Sequence, residues 1–321
     1  MTPEDIRNIL GADLEAVKDL VRSRLSSSVG LLQEVNDSLL AHGGKMMRPQ
    51  LCLLMARACG EPGDDSRRYA AAVELLHNST LLHDDVADNS DLRRGVPTVM
   101  SRMGAVPAVL VGDFWLARSI DVVLKSKHLD WALPAFAKTL GDLAEGEMLQ
   151  QQKAFSCDTT EEDYLQIIYC KTASLFEVAC TSAAVSVDVT PELFEAAKAY
   201  GKALGMAFQI KDDILDYTGG DLGKPGGQDL SERKITLPLL GALKGSPEEE
   251  SVRSMLKDLP EHPENGAAIV AFVKENGGLD YARKVLHSYI DAAISALAPI
   301  PESQEKAMLR EFALLNETRE K

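Results

Sequence analysis

The chain has 321 residues, 45% of them hydrophobic and 5% aromatic, and a formal net charge of -15. That charge excludes a surface built for nucleic acid or for steady contact with an anionic membrane, both of which would repel it. No apolar run reaches the roughly 18 residues needed to span a bilayer, which points to a soluble protein.

Ala and Leu dominate and β-branched runs are short, a mix that favours helices. Met1-Thr2-Pro3-Glu4 reads as a capped helix start rather than a signal peptide. A break at Gly43-Gly44 precedes a helix start carrying Lys45 and Arg48. After a second break at 60–63, Tyr69, Val73 and Leu76 recur at helical spacing and lead to an acidic helix end. Further breaks fall at 95–97, Asn276-Gly277-Gly278 and 299–301, and further starts at Thr160-Glu161, Thr190-Pro191 and Ser246-Pro247. There is no alternating strand pattern, no short repeat and no linker. The expectation is one all-α domain spanning 1–321, a bundle of roughly ten or more helices. Residues 219–234 hold five glycines and a proline, and so long a loop in a helical domain points to function. Cysteines 52, 59, 157, 170 and 180 form no Cys-x-x-Cys pair. They read as thiols in a reducing cytoplasm, with no zinc site.

Two aspartate clusters carry the chemistry. In Asp84-Asp85-Val86-Ala87-Asp88, Asp84 and Asp88 lie one turn apart on one helix face, with His77, Thr80 and Leu81 earlier on the same stripe. Asp212-Asp213-Ile214-Leu215-Asp216 repeats the pattern after Phe208-Gln209-Ile210-Lys211. Like charges stacked in an otherwise apolar segment call for a cation, and carboxylate oxygens suit Mg²⁺, which prefers a few carboxylates plus phosphate oxygens. One copy could be solvated acid at a helix end. Two copies point to a site where six carboxylates, with up to three Mg²⁺, balance a diphosphate.

These stretches, with Gly43-Gly44-Lys45-Met46-Met47-Arg48-Pro49, Glu74-Leu75-Leu76-His77, Leu92-Arg93-Arg94-Gly95, Val111-Gly112-Asp113 and Lys171-Thr172, resemble the trans-polyprenyl diphosphate synthases from end to end. The resemblance implies helices around a central cavity, the two acidic clusters facing each other across its mouth, and a homodimer. It implies a Mg²⁺-dependent prenyltransferase that joins isopentenyl diphosphate to an allylic diphosphate primer such as farnesyl diphosphate. Asp84 and Asp88 would hold two Mg²⁺ and Asp212 the third, with Asp85, Asp213 and Asp216 as ligands through water or as supports. Arg93, Lys171 and Lys224 would contact the allylic diphosphate, while Lys45, Arg48, His77 and Arg94 would hold isopentenyl diphosphate. Thr172 and Gln209 would face the forming cation, and the glycine-rich stretch carrying Lys224 would act as a lid.

The product should grow down the first acidic helix, past Thr80 and Ser79, four and five residues before Asp84. Both are small where short-chain synthases place a ring, so a floor would lie deeper, near Leu76 and Val73, or on the segment 111–124 with Phe114 and Trp115. The expected product is long, about C30–C50 and octaprenyl-like, made in the cytoplasm with only transient membrane contact for release. The alternative is a short-chain geranylgeranyl or farnesyl diphosphate synthase. A di-iron bundle would need a second Glu-x-x-His beside Glu74–His77, and a non-catalytic subunit would lack part of the acidic and basic set. Nothing after Lys234 carries identifiable chemistry, and that part reads as structural.

Overall fold

The computed structural model describes residues 3–218 and 227–319, so Lys224 and the first half of the glycine-rich stretch lie outside the described residues. The described residues form α1 (Pro3–Arg24), α2 (Gly30–Ala41), α3 (Met47–Cys59), α4 (Asp64–Ala87), a hairpin of β1 (Leu92–Arg93) and β2 (Val96–Pro97), α5 (Val99–Met103), α6 (Ala105–Val123) and α7 (Leu129–Ser156). There follow α8 (Glu161–Ile168), a π-helical turn (Tyr169–Ala173), α9 (Ser174–Val185), α10 (Pro191–Thr218) and α11 (Gly227–Ser231). The last helices are α12 (Leu237–Leu243), α13 (Glu249–Lys257), α14 (Asn265–Glu275), α15 (Gly278–Ala296) and α16 (Gln304–Thr318). The fold is all-α, as expected. No described helix is long and apolar enough to cross a membrane.

The chain divides into two units. The first takes residues 1–140, 177–198 and 298–309 and is built around α4, which packs against α1, α3 and α6. Every residue from Tyr69 to Leu76 is buried, the mark of a helix enclosed on all sides. Three consecutive alanines, Ala70 to Ala72, keep α4 thin enough for backbone-level contact with α6. There the Ser119 hydroxyl donates to the Ala72 carbonyl at 2.8 Å, and the Ser79 hydroxyl to the Gly112 carbonyl at 3.0 Å. Asp13 on α1 accepts from Arg57 of α3 at 2.6 Å and Arg67 of α4 at 2.9 Å, so that its burial leaves no charge unpaired.

The second unit takes residues 141–176, 199–297 and 310–321. Its core gathers Ile168, Ile210, Ile214, Leu237, Leu256 and Ile269, with α12 lying against α8, α14 and α15. Thr160 caps α8 through a reciprocal pair with Asp163, as its sequence predicts.

The break at 95–97 is a two-residue hairpin, with Arg93 paired to Val96 and positive φ at both Arg94 (54°) and Gly95 (78°). Such a turn matches the twist of the flanking strands. It is easy for glycine and costs about 1 kcal/mol at arginine, which suggests that Arg94 is held there for its side chain.

Candidate active site

The first aspartate cluster closes α4. Asp84 is half-buried and Asp88, the C-cap, is exposed, whereas Asp85 between them is only 4% exposed and turned inward. The hairpin explains how that burial is tolerated. Arg93 Nε donates to Asp85 Oδ1 at 2.6 Å, a charge-assisted bond from β1 to the helix end. Burial raises the Asp85 carboxyl above its ordinary range, and Arg93 opposes that rise.

Arg94, at the hairpin tip, meets the Gly43-Gly44 turn. A Cβ on Gly44 would stand 2.5 Å from an Arg94 guanidinium nitrogen, so a larger residue there would push the guanidinium aside. Around this point the fold gathers predicted diphosphate-binding residues from three segments. Burial, reinforced by Arg48, Arg94 and Arg93, lowers the His77 imidazole well below its ordinary value. His77 is therefore neutral at pH 7 and can offer one ring N–H. Glu74, 8% exposed, lies one turn before His77. Burial raises its carboxyl, while Asn78, Arg48 and Arg94 counter that rise. Lys45 is exposed beside Met46, whose positive φ of 51° turns the chain into α3. A cleft in this unit is lined by Gly43, Asn78, Asp85, Arg93, Arg94 and Arg102.

The second cluster lies near the end of α10. Again the middle acid is buried: Asp213 is 3% exposed, and Asp212 and Asp216 are half-buried. Its partners are neutral. Tyr164 of α8 donates to Oδ2 at 2.6 Å and Gln209 to Oδ1 at 2.9 Å, while Thr172 donates to Gln209 Oε1 at 2.7 Å. Thr172 and Gln209 thus form a relay that holds Asp213. Burial, with Asp212 and Asp216 nearby, pushes the Asp213 carboxyl up to about 7.

Lys171 and Thr172 lie in the π-helical turn, a distortion that recurs at functional sites. Helix α7 approaches this turn through Gly146, where a Cβ would stand 2.6 Å from the Cβ of Cys170. That approach brings Glu147 into an ion pair with Lys171. A cleft lined by Tyr164, Lys171, Gln209, Asp213, Asp229 and Lys234 opens beside them.

On α4, Val73 and Leu76 are buried core residues, and Thr80 donates to the His77 carbonyl at 2.8 Å. Ser79 is spent on Gly112. Trp115 is ordinary core: it is 2% exposed and its indole donates to Asn36 at 2.9 Å.

Sequence reasoning missed Tyr164, Glu147, Asp229 and Arg319. The backbone N–H of Asp229 donates to Asp216 at 3.3 Å, and burial with Asp213 and Asp216 raises its carboxyl. Arg319, just past α16, pairs with Asp212 at 2.7 Å, so the part of the chain after Lys234 does reach the second cluster. Of these, only Asp229 carried a local signal, as an acid inside the glycine-rich stretch.

Among the described residues, no three carboxylates, imidazoles or thiols converge into a ready metal cage. What each cluster offers is two accessible carboxylates a turn apart. That donor set fits a hard divalent ion that keeps waters and takes phosphate oxygens, and Asp212 already attracts a cation in Arg319.

A family model described as polyprenyl synthetase matches residues 29–273. The all-trans-nonaprenyl-diphosphate synthase (geranyl-diphosphate specific) of Rhodobacter capsulatus is 39% identical over 319 residues, covering 98% of this chain and 96% of that protein. The octaprenyl diphosphate synthase of Escherichia coli is 37% identical over 311 residues, covering 94% of each. A decaprenyl diphosphate synthase structure from Rhodobacter capsulatus matches with a TM-score of 0.91 and 35% identity, covering 98% of both chains. A polyprenyl synthase from Caulobacter crescentus, complexed with calcium and isoprenyl diphosphate, matches with a TM-score of 0.89 and 34% identity, covering 100% of this chain and 98% of that one. The chain belongs to the polyprenyl synthetase family of prenyltransferases.

Proposed function

We propose that residues 1–321 act as one long-chain, all-trans polyprenyl diphosphate synthase, which condenses isopentenyl diphosphate head-to-tail onto an allylic diphosphate. The carrying observation is the repeated cluster: in both copies the middle aspartate is buried and tethered, and the outer two stay accessible. Divalent-metal dependence comes with the family. Mg²⁺, up to three ions on Asp84, Asp88 and Asp212, would neutralise the charge that builds on the departing diphosphate.

The residues divide the remaining work. Arg93 and Lys171, with Lys224, bind the allylic diphosphate; Arg93 also keeps Asp85 in place, and Glu147 keeps Lys171 in place. Lys45, Arg48, Arg94 and neutral His77 bind isopentenyl diphosphate, whose double bond attacks the allylic carbon as its bond to diphosphate oxygen breaks. A new carbon–carbon bond forms and a proton leaves for the released diphosphate, restoring an allylic diphosphate one unit longer. Asp85 in the first cluster, and Asp213 with Thr172 and Gln209 in the second, each hold their own cluster in place. The small side chains of Ser79 and Thr80 and the long products named for the relatives support a product of about C30–C50.

A homodimer is part of this reading. Val106 (71% exposed) and Leu110 (62%) form an apolar face on α6 that a second copy would cover. Five free cysteines, four of them buried, suit the cytoplasm.

Incubating the protein with Mg²⁺, labelled isopentenyl diphosphate and primers of several lengths should yield a ladder ending at a long product. Thr80→Phe should shorten that product; an unchanged length refutes the role given to this position. An Asp84→Ala protein that elongates at full speed refutes the whole reading. Light scattering that returns the mass of one chain refutes the dimer.

A further inference from the structure

Asp212 is tied to a segment more than a hundred residues away. Arg319 places one guanidinium nitrogen 2.7 Å from Asp212 Oδ1 and 2.6 Å from the Phe208 carbonyl. Its guanidinium carbon sits 4.0 Å above the Phe208 ring. On the same turn of α10, Lys211 donates to the Glu317 carbonyl at 2.9 Å. The end of α16 is therefore fastened to α10 beside the second cluster, and the Arg319 side chain is only 16% exposed.

We infer that Arg319 and a divalent cation compete for Asp212, so that loading this carboxylate with metal loosens the end of α16. The inference rests on the reading that Asp212 takes a divalent ion. Such an ion binds carboxylate oxygen at roughly 2.0–2.1 Å. With Arg319 in place, a dication and a guanidinium would share one half-buried carboxylate, and their repulsion is weakly screened there. In the metal-free protein the guanidinium does the neutralising, in a site crowded by Asp213, Asp216 and Asp229. When metal takes over, Arg319 keeps the Phe208 carbonyl and ring and loses its ionic tie. Linkage makes the effect reciprocal: whatever the metal does to the clasp, the clasp does to metal affinity.

The test uses the full chain and Mn²⁺ as the probe, followed by electron paramagnetic resonance with inorganic diphosphate present. Arg319→Gln should bind the Mn²⁺ of the second cluster about tenfold more tightly, and Arg319→Lys should fall between it and the parent. In the parent, adding Mg²⁺ should speed hydrogen exchange of the amides from 313 to 319. Equal or weaker Mn²⁺ binding by Arg319→Gln, or exchange that Mg²⁺ leaves unchanged, overturns the competition. If Asp212→Asn binds as many Mn²⁺ ions as the parent, the metal assignment itself fails and the clasp fails with it.

Discussion

The two Asp-Asp-x-x-Asp clusters share a spelling and a geometry, yet their buried middle acids are held by different chemistry. Asp85 is met by a cation, Arg93, delivered by a hairpin only eight residues downstream. Asp213 is met by neutral donors, Tyr164 and Gln209, and has Asp212, Asp216 and Asp229 for neighbours. A buried carboxylate tolerates loss of a charged partner poorly, because the remaining charge cannot regain water. One held by neutral donors has another escape, since it can take up a proton. The first cluster is thus fixed by an ion pair, and the second is sensitive to protons and cations.

The largest effect should separate outer from middle acids. Asp84→Asn and Asp212→Asn should each lower turnover by about 10³-fold, against about tenfold for Asp85→Asn and Asp213→Asn, read as label incorporated into product. Middle-acid losses that match or exceed the outer ones would break the division of labour common to both clusters.

The two tethers should differ in strength. Arg93→Ala should cost about 2–3 kcal/mol of stability, at the low side for a buried pair because Arg93 is a third exposed. Tyr164→Phe should cost about 1 kcal/mol, because Asp213 keeps Gln209. Denaturant midpoints of the metal-free proteins give both numbers, and equal costs would erase the contrast.

The smallest effects concern pH, and their signs are opposite. His77 is depressed in the folded state, so its contribution to stability is present above pH 6.5 and lost as pH falls below it. Asp213 is raised from 3.8 to about 7, so its contribution is present below pH 3.8 and lost as pH rises through about 7. In metal-free protein, His77→Gln should flatten the acid-side fall of the melting temperature. Asp213→Asn should flatten the fall between pH 4 and 7. Each change should be on the order of 2–4 °C.

Much of this was legible in the residues. Helical periodicity gave the fold class, and i,i+4 spacing placed Asp84 above Asp88 and His77 on the stripe leading to them. The resemblance already assigns Arg93 and Arg94 to different diphosphates but says nothing of their partners within the protein; the hairpin sends Arg93 to Asp85 and Arg94 to the Gly44 turn. A two-residue strand pair is too short to leave an alternating pattern, which is why the turn read only as a break.

Local order, the acidic and basic inventory and the faces of each helix follow from spacing alone, because helix geometry acts over three or four residues. Tyr164 lies 49 residues from Asp213, and Arg319 lies 111 from Phe208. No local pattern could have paired them. Only packing decides which distant polar group reaches a buried carboxylate, and so which acid is left accessible and which is held in place.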